Sequence, residues 1–237
     1  MKEYLQTTDA VLDKVGSSGT GLTGAEAAAR LEKNGKNKLA EGKRESVILR
    51  FLKQLIEPMT IILLVAAAIS AVLAVYEGSF PSDVVIIMAV VVINAVLGVV
   101  QESKAEEAIA ALQEMSAATS KVLRDGKQVS VHSEDLVVGD VIILEAGDAV
   151  PADARLLECA SMKVEEAALT GESVPVVKTA ERLSAGESGD VPLGDRLNMV
   201  FMGSTVVYGR GKAVITATGM GTEMGKIASA LSQAEEG

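Results

Sequence analysis

The chain has 237 residues, room for one large soluble domain or two ordinary ones, yet 49% of them are apolar beside 23% charged and the mean hydropathy is +0.32, so the apolar residues must be concentrated. A formal net charge of -10 argues against a nucleic-acid partner, which needs a basic face to displace counterions from phosphates, and favours cations. The single cysteine, Cys159, excludes an intrachain disulfide, and the polar, acidic start MKEYLQTTDA lacks the apolar core of a secretory signal, so any membrane insertion rests on internal segments.

Taken in chain order, the first fifty residues read as small helices. Thr8-Asp9 before Ala10-Val11-Leu12, with Gly16 behind Val15, marks a short one. Thr23 with Glu26 has capping-box spacing, and Asn34-Gly35 follows as a stop, predicting a helix from about Gly24 to Lys33. From Met59 to Tyr76 the string MTIILLVAAAISAVLAVY carries no charge. As a helix such a run extends about 27 Å, close to the thickness of the hydrocarbon layer. A second run, Val84 to Val100, follows after EGSFPSD, a connection too short for anything but a reversal, so an antiparallel transmembrane hairpin is expected. Lys43, Arg44, Arg50 and Lys53 precede the hairpin and Lys104 follows it, whereas the connection carries Glu77 and Asp83; the positive-inside rule puts both chain ends in the cytoplasm.

Past Val100 the pattern turns periodic, with Ala105, Ala108, Ile109 and Leu112 at helical spacing, so the second helix is expected to run on as a stalk. Between Lys121 and Cys159 short β-like runs alternate with Asp125-Gly126, Gly139-Asp140 and Gly147-Asp148, the pattern of a compact β domain. Further strands are expected at Met162 to Glu165, Met199 to Met202, Thr205 to Tyr208 and Lys212 to Thr218, with a surface loop at Ala180 to Arg196 and a helix from Thr222 to Ala234.

The string with chemical content is ALTGESVPVVK, centred on Thr170-Gly171-Glu172-Ser173. Glycine lets a backbone approach another surface, and a carboxylate beside it can hold a water in line for attack or accept its proton. Taken alone the string is equally compatible with a plain surface turn. Its company is more specific. GLTGAEAAARLEKNGKNKL, INAVLGVVQESKAEEAIAALQEM, LVVGDVIILEAGDAVPADARLL, LTGES and NMVFMGSTVVYGRGKAVITATGMGTEMGKI occur in this order, and with them the chain resembles the type II P-type cation-transporting ATPases, the calcium pumps especially, over nearly its whole length.

The resemblance implies an α+β membrane protein: an N-terminal cytoplasmic helical segment (1–57), a transmembrane hairpin (58–100), a stalk helix (101–118), a mainly β, distorted jelly-roll-like actuator domain (119–220) and a C-terminal helix (221–237) leading towards a third membrane helix. It implies that Thr170, Gly171, Glu172 and Ser173 form the loop that docks on a phosphorylated aspartate of another domain, Glu172 positioning the water that hydrolyses the aspartyl phosphate. Glu166, outside the motif, is expected to tolerate amidation. The family's Asp-Lys-Thr-Gly-Thr string is not in this sequence, so these residues by themselves are expected neither to be phosphorylated nor to transport. No cofactor is expected in the chain; ATP and Mg2+ are implied for the complete pump. The implied partners are the lipid bilayer of the cell membrane, the transported cation, and the phosphorylation, nucleotide-binding and ion-binding parts of the pump. A membrane-anchored β module that regulates a pump without catalysis is the competing expectation.

Four other residues receive plainer readings. His132, the one histidine, has no neighbouring ligand types, so no metal site is expected. Cys159 reads as a packed thiol and Asn94 as a hydrogen bond between membrane helices. Glu77 is either an acidic residue near an ion path or a solvated loop carboxylate.

Overall fold

The computed structural model describes residues 2–39, 46–78, 80–115, 118–185 and 189–235, which leaves Lys43 and Arg44 of the basic flank outside the described residues. The chain divides into two compact units, Met1–Glu41 with Ala117–Gly237, and Gly42–Ser116. Residues 1–57, read from sequence as one segment, are thus shared between the two.

The second unit is helical: α3 (Val47–Leu55), α4 (Pro58–Glu77) and α5 (Ser82–Met115). Pro58 opens α4 at a position where its missing N–H costs nothing, and Gly78, in the left-handed conformation at φ 64°, ends it. Helix α4 and the part of α5 before Gln101 are apolar around their circumference, and 11% of the apolar stretch of each is buried within the chain. A core helix of a soluble protein would be mostly buried, so lipid is the solvent these faces fit. Helix α3 was not foreseen: Ser46 caps it by accepting from the Leu49 amide (3.2 Å), and Arg50 pairs with Glu106 of α5 at 2.7 Å. Gly98 of α5 makes room for Gln54, since a Cβ there would stand 2.7 Å from that side chain.

Asn94 is exposed, and among the described residues it makes no hydrogen bond to α4; the buried positions of α4 and α5 are Thr60, Ala67, Val91, Ala95 and Val99. Asn94 directly precedes Ala95, so about 100° of helical rotation carries it off the buried stripe. Helix α5 continues past Val100 to Met115, and its apolar stripe from Ala108 on falls outside the side chains described.

The first unit is built on an antiparallel sheet of β1 (Thr119–Arg124), β2 (Lys127–His132), β3 (Val141–Glu145), β4 (Asp153–Glu165), β5 (Val176–Val177), β6 (Met199–Val200) and β7 (Thr205–Ala217). Its order is β2-β1-β3-β7-β4-β5, with β6 paired to β4. Val122, Ile142, Leu144, Leu156, Met162, Val206 and Ile215 are buried together as its core. The N-terminal helix α1 (Thr8–Val15) packs on this sheet through Val11 against Val141 and Val214, and α2 (Gly24–Asn34) packs through Ala27 on Leu22 and on Val137, which precedes β3. The capping box is present, Thr23 Oγ1 accepting from the Glu26 amide (3.2 Å) and the Glu26 carboxylate from the Thr23 amide (3.0 Å). Arg30 of α2 donates to the Val15 and Val138 carbonyls, both at 2.7 Å, which locks the helical layer to the sheet. The Gly139-Asp140 turn has a buried carboxylate: Asp140 accepts from Arg124 Nε (2.9 Å) and Nη2 (2.7 Å) and from the Val137 amide (3.0 Å).

Strands β4 and β7 are longer than the sequence pattern suggests, because the glycines read as breaks are accommodated inside a strand. Ala160 pairs with Arg210 and Lys163 with Tyr208, so Ser161 and Met162 together oppose the single residue Gly209, a β-bulge. Gly209 has φ 74°, and a Cβ there would collide with the carbonyls of Ala160 and Ser161. Gly209→Ala is therefore expected to cost about 1–3 kcal/mol from backbone strain alone, with the collision added to it. Chemical denaturation of the chain would read this as a lowered midpoint; an unchanged midpoint would show that the bulge relaxes freely.

Candidate functional site

Strand β4 ends at Glu165, and the chain then makes one helical turn, α6 (Ala167–Thr170), before β5 brings it back along β4. The turn is held by one acceptor. The Glu166 carbonyl receives the Leu169 amide (2.9 Å), the Thr170 amide (3.0 Å) and the Thr170 hydroxyl (3.1 Å). Gly171 closes the turn in the left-handed conformation at φ 76°, its amide donating to the Ala167 carbonyl at 2.9 Å. A side chain at Gly171 would meet nothing within 4 Å, so it is the backbone angle, together with open access, that suits glycine here.

Beyond that cap Glu172, Ser173, Val174 and Pro175 are exposed. The Glu172 amide donates to Thr170 Oγ1 at 3.3 Å, which fixes its main chain to the turn. Among the described residues, its carboxylate has no hydrogen bond or ion pair, nor has the Ser173 hydroxyl. The structure thus places Thr170, Gly171, Glu172 and Ser173 on one capped turn, with the Glu172 carboxylate exposed to solvent.

Next to the turn lies a feature the sequence did not disclose. Glu166 and Lys178 flank the loop, both side chains are fully buried, and Glu166 Oε1 is 2.5 Å from Lys178 Nζ. Lys178 also sits over the Phe201 ring, 5.8 Å from its centroid. Burial pushes the Glu166 carboxyl up and the Lys178 amine down, each countered by the opposite charge of the other. The expectation that Glu166 tolerates amidation is therefore corrected, since its amidation would leave Lys178 charged in an apolar setting. Nothing in local composition separates a buried Glu–Lys pair from two solvated charges twelve positions apart.

The other buried charges serve the scaffold. Arg155 is wholly buried and, among the described residues, has no carboxylate partner; it donates instead to main-chain carbonyls, among them Ala180 (3.2 Å), Gln6 (3.3 Å) and Asn198 (3.4 Å). Burial lowers its pKa to about 10, so it stays protonated at neutral pH. Asp153 accepts from the amides of Met202 (2.9 Å) and Glu223 (2.7 Å), the latter opening helix α7 (Glu223–Glu235). Cys159 is half-buried, its thiol donating to the Lys178 carbonyl at 3.6 Å, and burial pushes its pKa up, the wrong direction for a nucleophile. Among the described residues no group of acidic, histidine or cysteine side chains could hold a metal ion.

Comparison with known proteins sets these features in a family. Residues 114–232 match the family model of the P-type ATPase actuator domain, and residues 3–70 that of the cation transporter/ATPase N-terminus. A calcium-transporting ATPase of Listeria monocytogenes is 44% identical over 99% of this chain and 26% of its own length. Calcium-transporting ATPase 1 of Lactococcus lactis is likewise 44% identical, over 99% of this chain and 26% of its own length. A cation-transporting ATPase of Synechocystis is 41% identical over 94% of this chain and 24% of its length. The chain spans about a quarter of the length of these relatives. With its two helices fit to cross a membrane, its antiparallel sheet and its capped Thr170–Ser173 turn, the chain belongs to the P-type ATPase family and resembles the N-terminal part of its calcium-transporting members, actuator domain included.

Proposed function

We propose that in the complete pump this actuator delivers Glu172 to an aspartyl phosphate on another domain, where the carboxylate orients and deprotonates the attacking water. The observation that carries the reading is the exposed Glu172 carboxylate, without a partner among the described residues, on a turn whose backbone is fixed. Thr170 supplies the hydroxyl that ties Glu172 to the turn, Gly171 the left-handed cap that keeps the approach clear, and Ser173 a second free polar group for the docked surface. An aspartyl phosphate has to survive until ions have moved, so a water-orienting group mounted on a moving domain makes hydrolysis conditional on conformation. ATP with Mg2+ supplies the phosphoryl group in this scheme, and the transported ion is calcium, as in the names of the Listeria and Lactococcus relatives. The direct test is the decay rate of the phosphoenzyme in a complete pump carrying Glu172→Gln.

Two further expectations follow from this reading. Since these residues contain no Asp-Lys-Thr-Gly-Thr string, the 237-residue chain incubated with labelled ATP and precipitated with acid should retain no label. Stoichiometric label would place a phosphate acceptor within it. The domain boundaries read from sequence beyond residue 57, a cell-membrane location and two cytoplasmic chain ends belong to the same proposal. In intact cells and a Cys159→Ser background, a cysteine at exposed Ser82, the first residue of α5 after the hairpin connection, should react with an impermeant thiol reagent, and one at exposed Ser130 of β2 should not. The reverse pattern would overturn the orientation.

A further inference from the structure

The loop that carries Glu172 leaves β4 after Glu165 and rejoins the sheet at Val176, where its return strand β5 pairs with β4 through two register positions, Lys163 with Val177 and Val164 with Val176, followed by the Lys178 amide donating to the Met162 carbonyl at 2.9 Å. So short a ladder is a weak tether for the ten residues 166–175. One residue past β4 and one past β5 stand the buried Glu166 and Lys178 side chains, 2.5 Å apart, with no other polar partner among the described residues.

From this buried pair a continuous line of contacts runs to Glu172. The Glu166 carbonyl accepts from the Thr170 hydroxyl (3.1 Å), and Thr170 Oγ1 accepts from the Glu172 amide (3.3 Å). Leu169, between them, packs on the cluster of Tyr4, Val191, Met199 and Phe201, and Phe201 is the ring beneath Lys178. Any displacement of Glu166 is thus passed to Thr170 and then to the main chain of Glu172.

We infer that Glu166 and Lys178 are positioning residues for the actuator loop: their buried ion pair clamps its two ends and, through the Glu166 carbonyl and the Thr170 hydroxyl, sets where the Glu172 carboxylate is presented. This rests on the reading of Glu172 as the water-orienting group. The chemistry suits a clamp better than a source of stability, since a buried pair gains little over apolar side chains of similar size, whereas a charge attraction in an apolar setting fixes two segments against each other.

The test is hydrogen–deuterium exchange on the 237-residue chain in detergent micelles, comparing the parent with the double variant Glu166→Gln/Lys178→Met, which removes both charges and strands neither. The amides of Thr170 and Gly171, bonded to the Glu166 and Ala167 carbonyls, are expected to exchange at least tenfold faster, while Ala213 to Ile215 in β7 stay within twofold of the parent. Thr170 and Gly171 within twofold of the parent, or an equal acceleration in β7, would overturn the clamp, the second outcome showing only a loss of global stability. Should the double variant not fold, Glu166→Asp keeps the charge and shortens its reach, with the same outcomes read at the same amides. In a complete pump the double variant should slow phosphoenzyme decay at least tenfold and leave phosphorylation unchanged; equal decay rates would contradict the inference. Because the exchange arm involves no turnover, a loosened loop together with normal decay in Glu172→Gln would keep the clamp and reject the water-orienting role instead.

Discussion

Lys178→Met is expected to lower the unfolding free energy of the β-rich unit by about 3–5 kcal/mol, the usual consequence of leaving one member of a buried pair without its counter-charge. The geometry makes this site a severe case, because the Glu166 side chain is fully buried and Lys178 is the one polar group in contact with it among the described residues. Glu166 would have to take up a proton or draw water into the core. Against a typical domain stability of about 5–15 kcal/mol the loss is large. For a unit of this size it corresponds to a fall in melting temperature on the order of 10 °C. The double variant Glu166→Gln/Lys178→Met should recover most of that loss, since an uncharged pair of similar volume carries no stranded charge. Calorimetry on the three chains decides it: a single variant within about 1 kcal/mol of the parent, or a double variant as unstable as the single, would show that the pair is solvated in solution.

How much of this was legible in the sequence depended on whether a residue's role is set by its neighbours in the chain or by distant ones. The hairpin was legible because an uncharged run from Met59 to Tyr76 has few physical homes. The capping box at Thr23 and Glu26 was legible because its partners are three residues apart. Helix α3 was missed since its apolar and basic residues merge with the approach to the membrane run, and Arg50, read there only as a flanking charge, is a buried partner of Glu106. Gly209 was read as a break in a strand because a glycine in a β pattern signals either a turn or a bulge, and the residues opposite it, Ser161 and Met162, decide which.

At the site itself, the Thr170–Ser173 string was found, but its chemistry came from a family resemblance and not from the residues. The structure adds the reason the string can present a carboxylate: a left-handed Gly171 and a Thr170 hydroxyl bonded on both sides. It also reverses the view of Glu166. A carboxylate six positions before Glu172 looked interchangeable with any surface acid, and only the fold shows it paired with Lys178 below the loop.

Glu172→Gln, made in a complete pump in which these 237 residues replace the corresponding segment, is expected to have the largest effect on turnover. The amide keeps the size of the side chain and much of its hydrogen bonding, but it carries no charge and cannot take the proton of an attacking water. Loss of general-base assistance costs about a hundredfold to ten-thousandfold in rate. Formation of the phosphoenzyme precedes that step and should be unaffected, so phosphoenzyme should accumulate at steady state. The control is Glu158→Gln: that carboxylate is 71% exposed in a surface pair with Lys212 at 3.3 Å, and its amidation should change stability by no more than about 0.5 kcal/mol and leave turnover alone. The decisive measurement is a chase of labelled phosphoenzyme with unlabelled ATP in the parent, Glu172→Gln and Glu158→Gln pumps. Decay at least a hundredfold slower is expected in Glu172→Gln alone; equal, near-normal decay in all three would contradict the water-orienting role and leave the loop, at most, a docking surface.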